Sequence, residues 1–197
     1  KYTLPIQSLR FGKPECRKFL IWARQNGDEP ECTGGLHPAL LELLAHSDSV
    51  PAYKQIIQEL DIMVVPMVNP GGVNNFTRES VVGIDLNRDA AAQVTPEAAV
   101  LIKLKDTFNP EYAFNMHDMN PRMHANNEEP ELVTLAFQAG PFDKANRDNS
   151  VRSKAKTIIG KMIGAVEDRC QHIAKYKANY MNRAFGDSMM RWGVSCI

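Results

Sequence analysis

The sequence predicts an α/β fold, a mixed, mostly parallel sheet with helices on both faces. Two observations predict it. Short apolar runs of strand length alternate along the chain with segments in which apolar residues recur at helical spacing. The short runs are apolar nearly throughout, which is typical of strands buried on both faces of a sheet. At 197 residues the chain is expected to form a single domain over 1–197.

Strands are predicted where four to eight mostly apolar residues are bounded by turn residues. The first run ends at a polar turn, the second is closed by the sequence NPGG at 69–72, and the third ends in His117. In chain order the predicted strands are 18–23, 61–68, 111–117 and 131–137, with a further apolar run over 192–197.

Helices are predicted where apolar residues follow a helical period behind a helix-starting residue. Pro38 and Pro51 are placed in first turns, where a proline forfeits no hydrogen bond. Thr95 precedes a proline and an acid, a combination that favours a helix start. The predicted helices are 38–46, 51–60, 95–108 and 150–175.

The charge balance argues against two classes of partner. Lys plus Arg and Asp plus Glu are 23 each, and local charge runs are absent, so neither a nucleic-acid nor a membrane partner is expected. No apolar stretch approaches the ~20 residues of a membrane span, and no signal-peptide pattern follows Lys1. Because export signals are removed from mature proteins, both a cytoplasmic and an exported location stay open.

The cysteines are widely spaced and form no C-x-x-C pair. This spacing excludes a zinc ribbon and argues against a dense disulfide framework. Isolated thiols are therefore predicted at Cys16, Cys32, Cys170 and Cys196.

Three loops follow predicted strands, after Ala23, after Val68 and at His117. Ligands of such sheets gather at the carboxyl ends of the strands, so we expect these loops to form one site. Glu29 lies in the first loop and Asp118 follows His117 in the third. A carboxylate and an imidazole are metal ligands. Glu29 would also favour the positive end of a following helix, and a single histidine is commonly structural, so both interpretations stay open.

The loop over 74–89 carries a second set of polar residues, Arg78, Asn87 and Arg88. An aspartate stands on each side of the Asn-Arg pair. Guanidinium groups bind carboxylates through a bidentate fork, and an amide adds a further donor. The set is therefore interpreted either as ordinary surface charge or as a clamp for a carboxylate.

Five motifs spread over nearly the whole chain carry a resemblance to a known family. They are NGDEPE at 26–31, NPGG at 69–72, TRESVVGIDLNRD at 77–89, FNMHD at 114–118 and RAFGDSMMRWGVSCI at 183–197. On these motifs the chain resembles the zinc carboxypeptidases of the carboxypeptidase A type, in a bacterial branch. The resemblance implies a carboxypeptidase-like catalytic domain over 1–197 that is incomplete at its carboxyl-terminal end.

The resemblance also implies metal-binding positions. Glu29 and His117 match two of the three zinc ligands, whereas Asn26 stands where the family has its first zinc histidine. An amide oxygen is a poorer zinc ligand than imidazole. His37 is no substitute, because it lies up to ~12 Å further along a continuous helix. One zinc ion is the implied cofactor, weakly held or absent because of Asn26, and the general-base glutamate is expected just after Ile197.

The remaining matches concern the substrate. Asn87 and Arg88 match the pair that binds the terminal carboxylate of a peptide, and Arg78 matches the catalytic arginine that polarises the scissile carbonyl. Tyr180 matches the tyrosine that caps the substrate, with Tyr176 as the competing match. The implied partner is a peptide with a free C-terminal carboxylate.

The implied function is that of a zinc metallocarboxypeptidase, which hydrolyses the C-terminal peptide bond. The alternative is a non-catalytic binding module that keeps the carboxylate clamp and has lost the metal. An amidase or deacylase branch of the same fold would tend to lack the arginine set, which this chain has.

Overall fold

The computed structural model describes residues 4–120, 132–177 and 179–197. Backbone contacts divide the chain into two units. The first unit comprises Lys1–Asp118 with Arg183–Phe185, and the second comprises Met119–Asn182 with Gly186–Ile197. The prediction of one domain over 1–197 stays a prediction.

Helices and strands of the first unit alternate along the chain, as the sequence pattern predicts. They are β1 (Leu9–Gly12), β2 (Arg17–Trp22), α1 (Glu31–Ala45), α2 (Pro51–Glu59), β3 (Leu60–Val65), α3 (Pro70–Asn75), a short 3-10 helix (Leu86–Arg88), α4 (Pro96–Phe108) and β4 (Tyr112–Asn115). The later elements are β5 (Leu135–Phe137), α5 (Ser150–Val166), β6 (Ile173–Lys175), α6 (Phe185–Arg191) and β7 (Ser195–Cys196).

The strands of the first unit lie in the order β1, β3, β2, β4. Strand β2 pairs in parallel with both β3 and β4, and only β1 runs antiparallel to its neighbour β3. Ile21 of β2 stands opposite Val64 on one side and Phe114 on the other. The sheet is therefore mixed and mostly parallel, which confirms the prediction.

Helices cover both faces of this sheet, because side chains along a strand point alternately to opposite sides. Phe19 of β2 packs in an apolar cluster with Leu36 of α1 and Ile56 of α2. The preceding residue, Lys18, has its ammonium 5.6 Å from the ring centre of Phe108 at the end of α4. Helices α1 and α2 thus lie on one face and the end of α4 on the other, as predicted.

The three central strands end at the same edge of the sheet. The amide of Ala23 donates to the carbonyl of Val65 (3.1 Å), and the amide of Met116 donates to that of Trp22 (2.9 Å). Parallel strands in register bring their carboxyl ends together, so the loops that follow β2, β3 and β4 begin side by side.

Helix α1 differs from its prediction. It begins at Glu31, and Pro38, which was expected in its first turn, lies inside it. A residue far along the chain fixes this start. The carboxylate of Asp118 accepts hydrogen bonds from the amides of Glu31 (2.8 Å) and Cys32 (2.9 Å). A cap supplied by another loop satisfies the free amides of the first turn without leaving a local sequence signal.

Other predicted boundaries of helices and strands also differ from those in the structure. The predicted turn NPGG is the start of helix α3, whose cap is Asn69. The helix predicted over 150–175 ends at Val166 and is followed by strand β6. Strand β4 ends at Asn115, two residues before His117, so the histidine lies in the loop.

The second unit contains a small parallel sheet in which β5 pairs with β6. Of the strand predicted over 131–137, residue 131 lies outside the described residues and 135–137 form β5. Asn149 caps α5 by accepting from the amide of Arg152 (2.9 Å), and the Ser195 hydroxyl donates to the carbonyl of Val151 (2.9 Å).

Two predictions about the chain as a whole can be compared with the structure. The cysteines are free thiols, as their spacing predicts. Within the described ranges, no helix combines the length and apolar character that crossing a membrane requires.

Candidate functional site

The loop after β2 is fixed by close packing and by one asparagine. Gly27 has no room for a side chain, because a Cβ would lie 2.5 Å from the Thr77 carbonyl oxygen. Asn69 is fully buried. Its amide nitrogen lies 3.4 Å from the carbonyl oxygens of Gln25 and Arg78, to which it donates. Asn69 therefore holds the loops that carry the candidate site residues against each other.

Three residues predicted at metal positions come together here, and we call them the ligand triangle: Asn26, Glu29 and His117. His117 Nδ1 is 2.6 Å from Glu29 Oε2. Asn26 Nδ2 donates to Glu29 Oε1 at 2.5 Å and lies 3.2 Å from His117 Nδ1. The first and third loops thus meet in one site, and the metal-binding role of these residues stays a prediction.

Glu29 is ionised at neutral pH. Burial acts to raise the pKa of its carboxyl group. The hydrogen bonds from His117 and from the Asn26 amide and the nearby charge of the Arg78 guanidinium act in the other direction, and together they hold this pKa below its usual value. The triangle therefore contains a carboxylate whose charge is stabilised by protein groups.

Cys32 lies beside the triangle but is not a reactive thiol. Its Sγ donates to the carbonyl oxygen of His117 at 3.1 Å. Burial, with a further contribution from the Asp118 carboxylate, raises the pKa of Cys32 to about 12. Because only a thiolate ligates metal or attacks a substrate, Cys32 adds no ligand to the triangle.

The triangle does not fit the three-ligand zinc site that the resemblance implies. Glu29 and His117 have suitable donor atoms, but the group that Asn26 presents to Glu29 is an N–H donor, which cannot ligate a cation. The Asn26 oxygen is buried and has no hydrogen-bond partner among the described residues. Across the same residues, no group of three His, Cys, Asp or Glu side chains is placed to hold a metal ion.

Arg78 is held by two carboxylates. Its Nε donates to Asp85 Oδ2 at 2.9 Å, and its Nη1 lies 3.4 Å from Glu29 Oε1. The other oxygen of Asp85 accepts from the amide of Asn87 at 2.8 Å and so caps the 3-10 helix. The charge of Arg78 is therefore balanced within the protein before any ligand binds.

Arg88 differs from Arg78 in the groups that its guanidinium contacts. Its Nη1 donates to the carbonyl oxygen of Asn87 at 2.8 Å, and no carboxylate pairs with it in the described part of the chain. Asn87 Oδ1 accepts from the amide of Phe185 at 3.0 Å, while Asn87 Nδ2 lies 3.4 Å from His117 Nε2. We call Asn87 and Arg88 the carboxylate clamp, and Asn87 joins it to the ligand triangle.

Asp89 anchors the carboxyl-terminal side of the clamp. It is buried, and its carboxylate accepts from the amide of Val94 (3.0 Å) and from both the amide (2.8 Å) and the hydroxyl (2.7 Å) of Thr95. Thr95 in turn caps α4. The clamp is therefore a fixed feature of the first unit.

The predicted substrate-capping tyrosine lies in the second unit. The Tyr180 hydroxyl accepts a hydrogen bond from Arg191 Nη1 at 3.1 Å. Tyr176, the competing match, lines a cavity of the same unit. The capping role of Tyr180 stays a prediction, as does the general-base glutamate expected beyond Ile197.

Sequence reasoning named three residues or their motifs without predicting that they position the site. Asn69 fastens two loops, Asp85 fixes both Arg78 and the 3-10 helix, and Asp118 caps α1. The sequence contained a partial signal, since an aspartate stands on each side of the Asn87-Arg88 pair. Their partners lie far along the chain or depend on loop geometry, which no local pattern specifies.

Sequence comparison points to carboxypeptidases. No protein-family model matches the chain. Carboxypeptidase 2 of Trichophyton rubrum is 23% identical over 163 residues, which cover 82% of this chain and 30% of that protein. The chain thus spans less than a third of the length of this curated relative, and the activity of the whole relative cannot be assigned to it.

Structural comparison gives the fold. A metallo-carboxypeptidase from Burkholderia cenocepacia superposes with a TM-score of 0.72 and 18% identity, over 94% of this chain and 48% of that one. The tripeptide-bound cell shape determinant Csd4 of Helicobacter pylori gives a TM-score of 0.69 and 15% identity, over 98% of this chain and 48% of that one. The chain therefore has the fold of the metallo-carboxypeptidases and spans about half the length of these two proteins.

Proposed function

We propose that this chain captures the free C-terminal carboxylate of a peptide through the carboxylate clamp, on a carboxypeptidase-type scaffold. One observation carries the proposal. Arg88 has a guanidinium that no carboxylate neutralises in the described residues, whereas Arg78 is already paired with Glu29 and Asp85. A planar guanidinium binds a carboxylate in a bidentate fork, so the terminal carboxylate of a peptide complements Arg88.

The hydrogen bonds around Asn87 prepare its amide for the same ligand. His117 Nδ1 donates to Glu29, which leaves Nε2 as an acceptor for one hydrogen of the Asn87 amide; this tautomer is assigned from the network. Asn87 Oδ1 is occupied by the amide of Phe185. The second amide hydrogen of Asn87 is then directed by fixed partners and is available to the bound carboxylate.

The relatives support a peptide ligand. The Trichophyton protein is named a carboxypeptidase, and Csd4 has been determined with a bound tripeptide. Carried over to this chain, the capture of peptide C-termini is the recognition step that a carboxypeptidase and a binding module would share.

The test is a binding titration with an acetylated peptide that has a free C-terminus and with its amidated twin. We expect the free peptide to bind more tightly and the Arg88→Ala variant to lose this difference. Removing one partner of a desolvated charge pair typically costs about 2–5 kcal/mol. Arg169→Ala is the matched control, because Arg169 is an exposed arginine of the second unit. Equal binding of the two peptides to the unaltered protein would refute the proposal.

A second candidate function is zinc-dependent hydrolysis of the C-terminal peptide bond. It is favoured by the 2.6 Å approach of Glu29 and His117, the two residues that match zinc ligands. Asn26 opposes it. Release of the terminal amino acid from a blocked dipeptide in the presence of zinc would assign hydrolysis to the protein, and binding without release would assign capture alone.

A further inference from the structure

A three-residue segment, Arg183–Phe185, belongs to the first unit, although the residues on both sides of it belong to the second. Two hydrogen bonds hold it beside the carboxylate clamp. The amide of Ala90 donates to the carbonyl oxygen of Arg183 at 3.2 Å, and the amide of Phe185 donates to Asn87 Oδ1 at 3.0 Å. The Phe185 side chain is also buried. The backbone of Arg183 is therefore fixed next to the clamp.

The side chain of Arg183 is exposed, and its guanidinium makes no hydrogen bond or ion pair with any described residue. The acids that flank the clamp in the sequence are already engaged. Asp85 pairs with Arg78 and caps the 3-10 helix, and Asp89 accepts three hydrogen bonds. Asp187 is buried and accepts from a backbone amide at 2.6 Å. Arg183 therefore carries a charge that no described carboxylate balances.

Arg183 lies within reach of a ligand that Arg88 holds. Arg88 is two positions before Ala90, and two residues of chain span at most ~7 Å. The 3.2 Å hydrogen bond of the Ala90 amide then joins this stretch to the Arg183 backbone. The Arg183 guanidinium stands at the end of a long side chain that no contact with a described residue restrains. An anion bound between the two arginines would also lower their mutual repulsion.

The proposed function defines one end of the ligand, which is the terminal carboxylate of a peptide at Arg88. The side chain of the same terminal residue branches from the carbon that bears this carboxylate. A second arginine next to the clamp favours a side chain that is itself a carboxylate, because guanidinium and carboxylate groups match in charge and geometry. Among the common amino acids, only aspartate and glutamate present two carboxylates at a peptide C-terminus.

Resting on the proposed function, we propose that Arg183 is a specificity-determining residue that selects peptides ending in glutamate or aspartate. Arg88 binds the terminal carboxylate, and Arg183 pairs with the carboxylate of the side chain. A peptide that ends in a neutral residue satisfies Arg88 alone, and one that ends in lysine or arginine brings a cation next to Arg183. The clamp thus distinguishes peptides by the charge of their last residue.

The test is a titration of the full chain with acetyl-Ala-Ala-Glu and with acetyl-Ala-Ala-Gln, both with a free C-terminus. The two peptides have nearly the same size and differ by one charge. An exposed ion pair contributes modestly to binding, so we expect the acidic peptide to bind about two- to fivefold more tightly. The preference should shrink as salt is added, because salt screens exposed charges.

Variants of Arg183 locate this preference. Arg183→Gln should remove it, whereas Arg183→Lys should keep part of it, since lysine retains the charge but not the planar fork. Arg183→Glu should reverse it, so that acetyl-Ala-Ala-Lys binds more tightly than acetyl-Ala-Ala-Glu. Arg169→Gln is the control, because Arg169 is an exposed arginine of the second unit, and it should leave the preference unchanged.

An amidated peptide separates this proposal from the proposed function. Equal binding of acetyl-Ala-Ala-Gln and its amide would refute the clamp, and the role of Arg183 would be lost with it. Tighter binding of the free form, together with equal affinities for the glutamate and glutamine peptides, would keep the clamp and overturn the selection by Arg183. A preference for glutamate that Arg183→Gln retains would also overturn it.

Discussion

The ligand triangle and the carboxylate clamp lie side by side and share one contact, between His117 and Asn87. They differ in whether protein groups balance the charge of their central side chain. In the triangle, Glu29 accepts from Asn26, His117 and Arg78, so its charge is satisfied within the protein. In the clamp, Arg88 donates only to a backbone carbonyl and no carboxylate of the described residues balances it.

This difference indicates which part of the site has a charge that a ligand could neutralise. Glu29 and His117 would have to give up their mutual hydrogen bond before a metal ion could bind either of them. A guanidinium without a counter-ion gains a strong bond when a carboxylate arrives. We therefore expect the triangle to take up a metal ion less readily than the clamp takes up an anion, although the two are joined by the contact between Asn87 and His117.

The largest effect is expected when Asn26 is changed so that the triangle becomes a ligand set. Asn26→His replaces the N–H donor by an imidazole and would complete the set of three zinc ligands that the resemblance implies. We expect zinc to bind at least about 100-fold more tightly, or roughly 3 kcal/mol, by isothermal titration.

The control for this variant is Asn74→His, which places a histidine at an exposed position of α3. It should bind zinc as weakly as the unaltered protein. Tight zinc binding by the unaltered protein, equal to that of Asn26→His, would show that the triangle accepts a metal as it stands.

A smaller effect is expected when the two arginines are compared. Arg78→Ala should weaken binding of the free-carboxylate peptide by less than about 1 kcal/mol, well below the loss expected for Arg88→Ala. Arg78 already pairs with Glu29 and Asp85, and its proposed target in catalysis is a developing oxyanion. Binding should be measured below the unfolding temperature of both variants, because Arg78→Ala also removes two ion pairs. A larger loss for Arg78→Ala would reverse the roles of the two arginines.

The smallest effect concerns the pH dependence of stability. The pKa of Glu29 is lower in the folded chain than its usual value, so its contribution to stability is present above the unfolded pKa and is lost as pH falls through the folded pKa. Urea unfolding from neutral pH into the acid range should show a shallower fall in the free energy of unfolding for Glu29→Gln. The exposed Glu15 provides the control, and Glu15→Gln should retain the steeper fall. Identical slopes for both variants would mean that the triangle does not stabilise the Glu29 charge.

The sequence predicted the sheet and the meeting of the loops because both depend on local patterns. Apolar runs of strand length locate β2, β3 and β4 to within a few residues, and parallel pairing then brings Glu29 and His117 to one edge. The resemblance named the same residues from their motifs. Neither source required knowledge of side-chain contacts.

Tertiary contacts account for what the sequence did not predict. Helix α1 starts at Glu31 because Asp118, from another loop, caps it. The hydrogen bond from Asn26 to Glu29 depends on how the Asn26 amide is turned. The lack of a carboxylate partner for Arg88 among the described residues depends on which groups the nearby acids contact instead. Residue types and spacings specify which groups are present, but they do not specify how those groups pair.

The most direct test of the contrast between triangle and clamp is the affinity of one free-carboxylate peptide for the unaltered protein, measured once in EDTA and once in excess zinc. Because the proposed function needs only the clamp and no metal ion in the triangle, we predict that the two dissociation constants agree within about twofold. Peptide binding that is lost in EDTA and restored by zinc would contradict this, because the ligand triangle would then be a metal site on which the clamp depends.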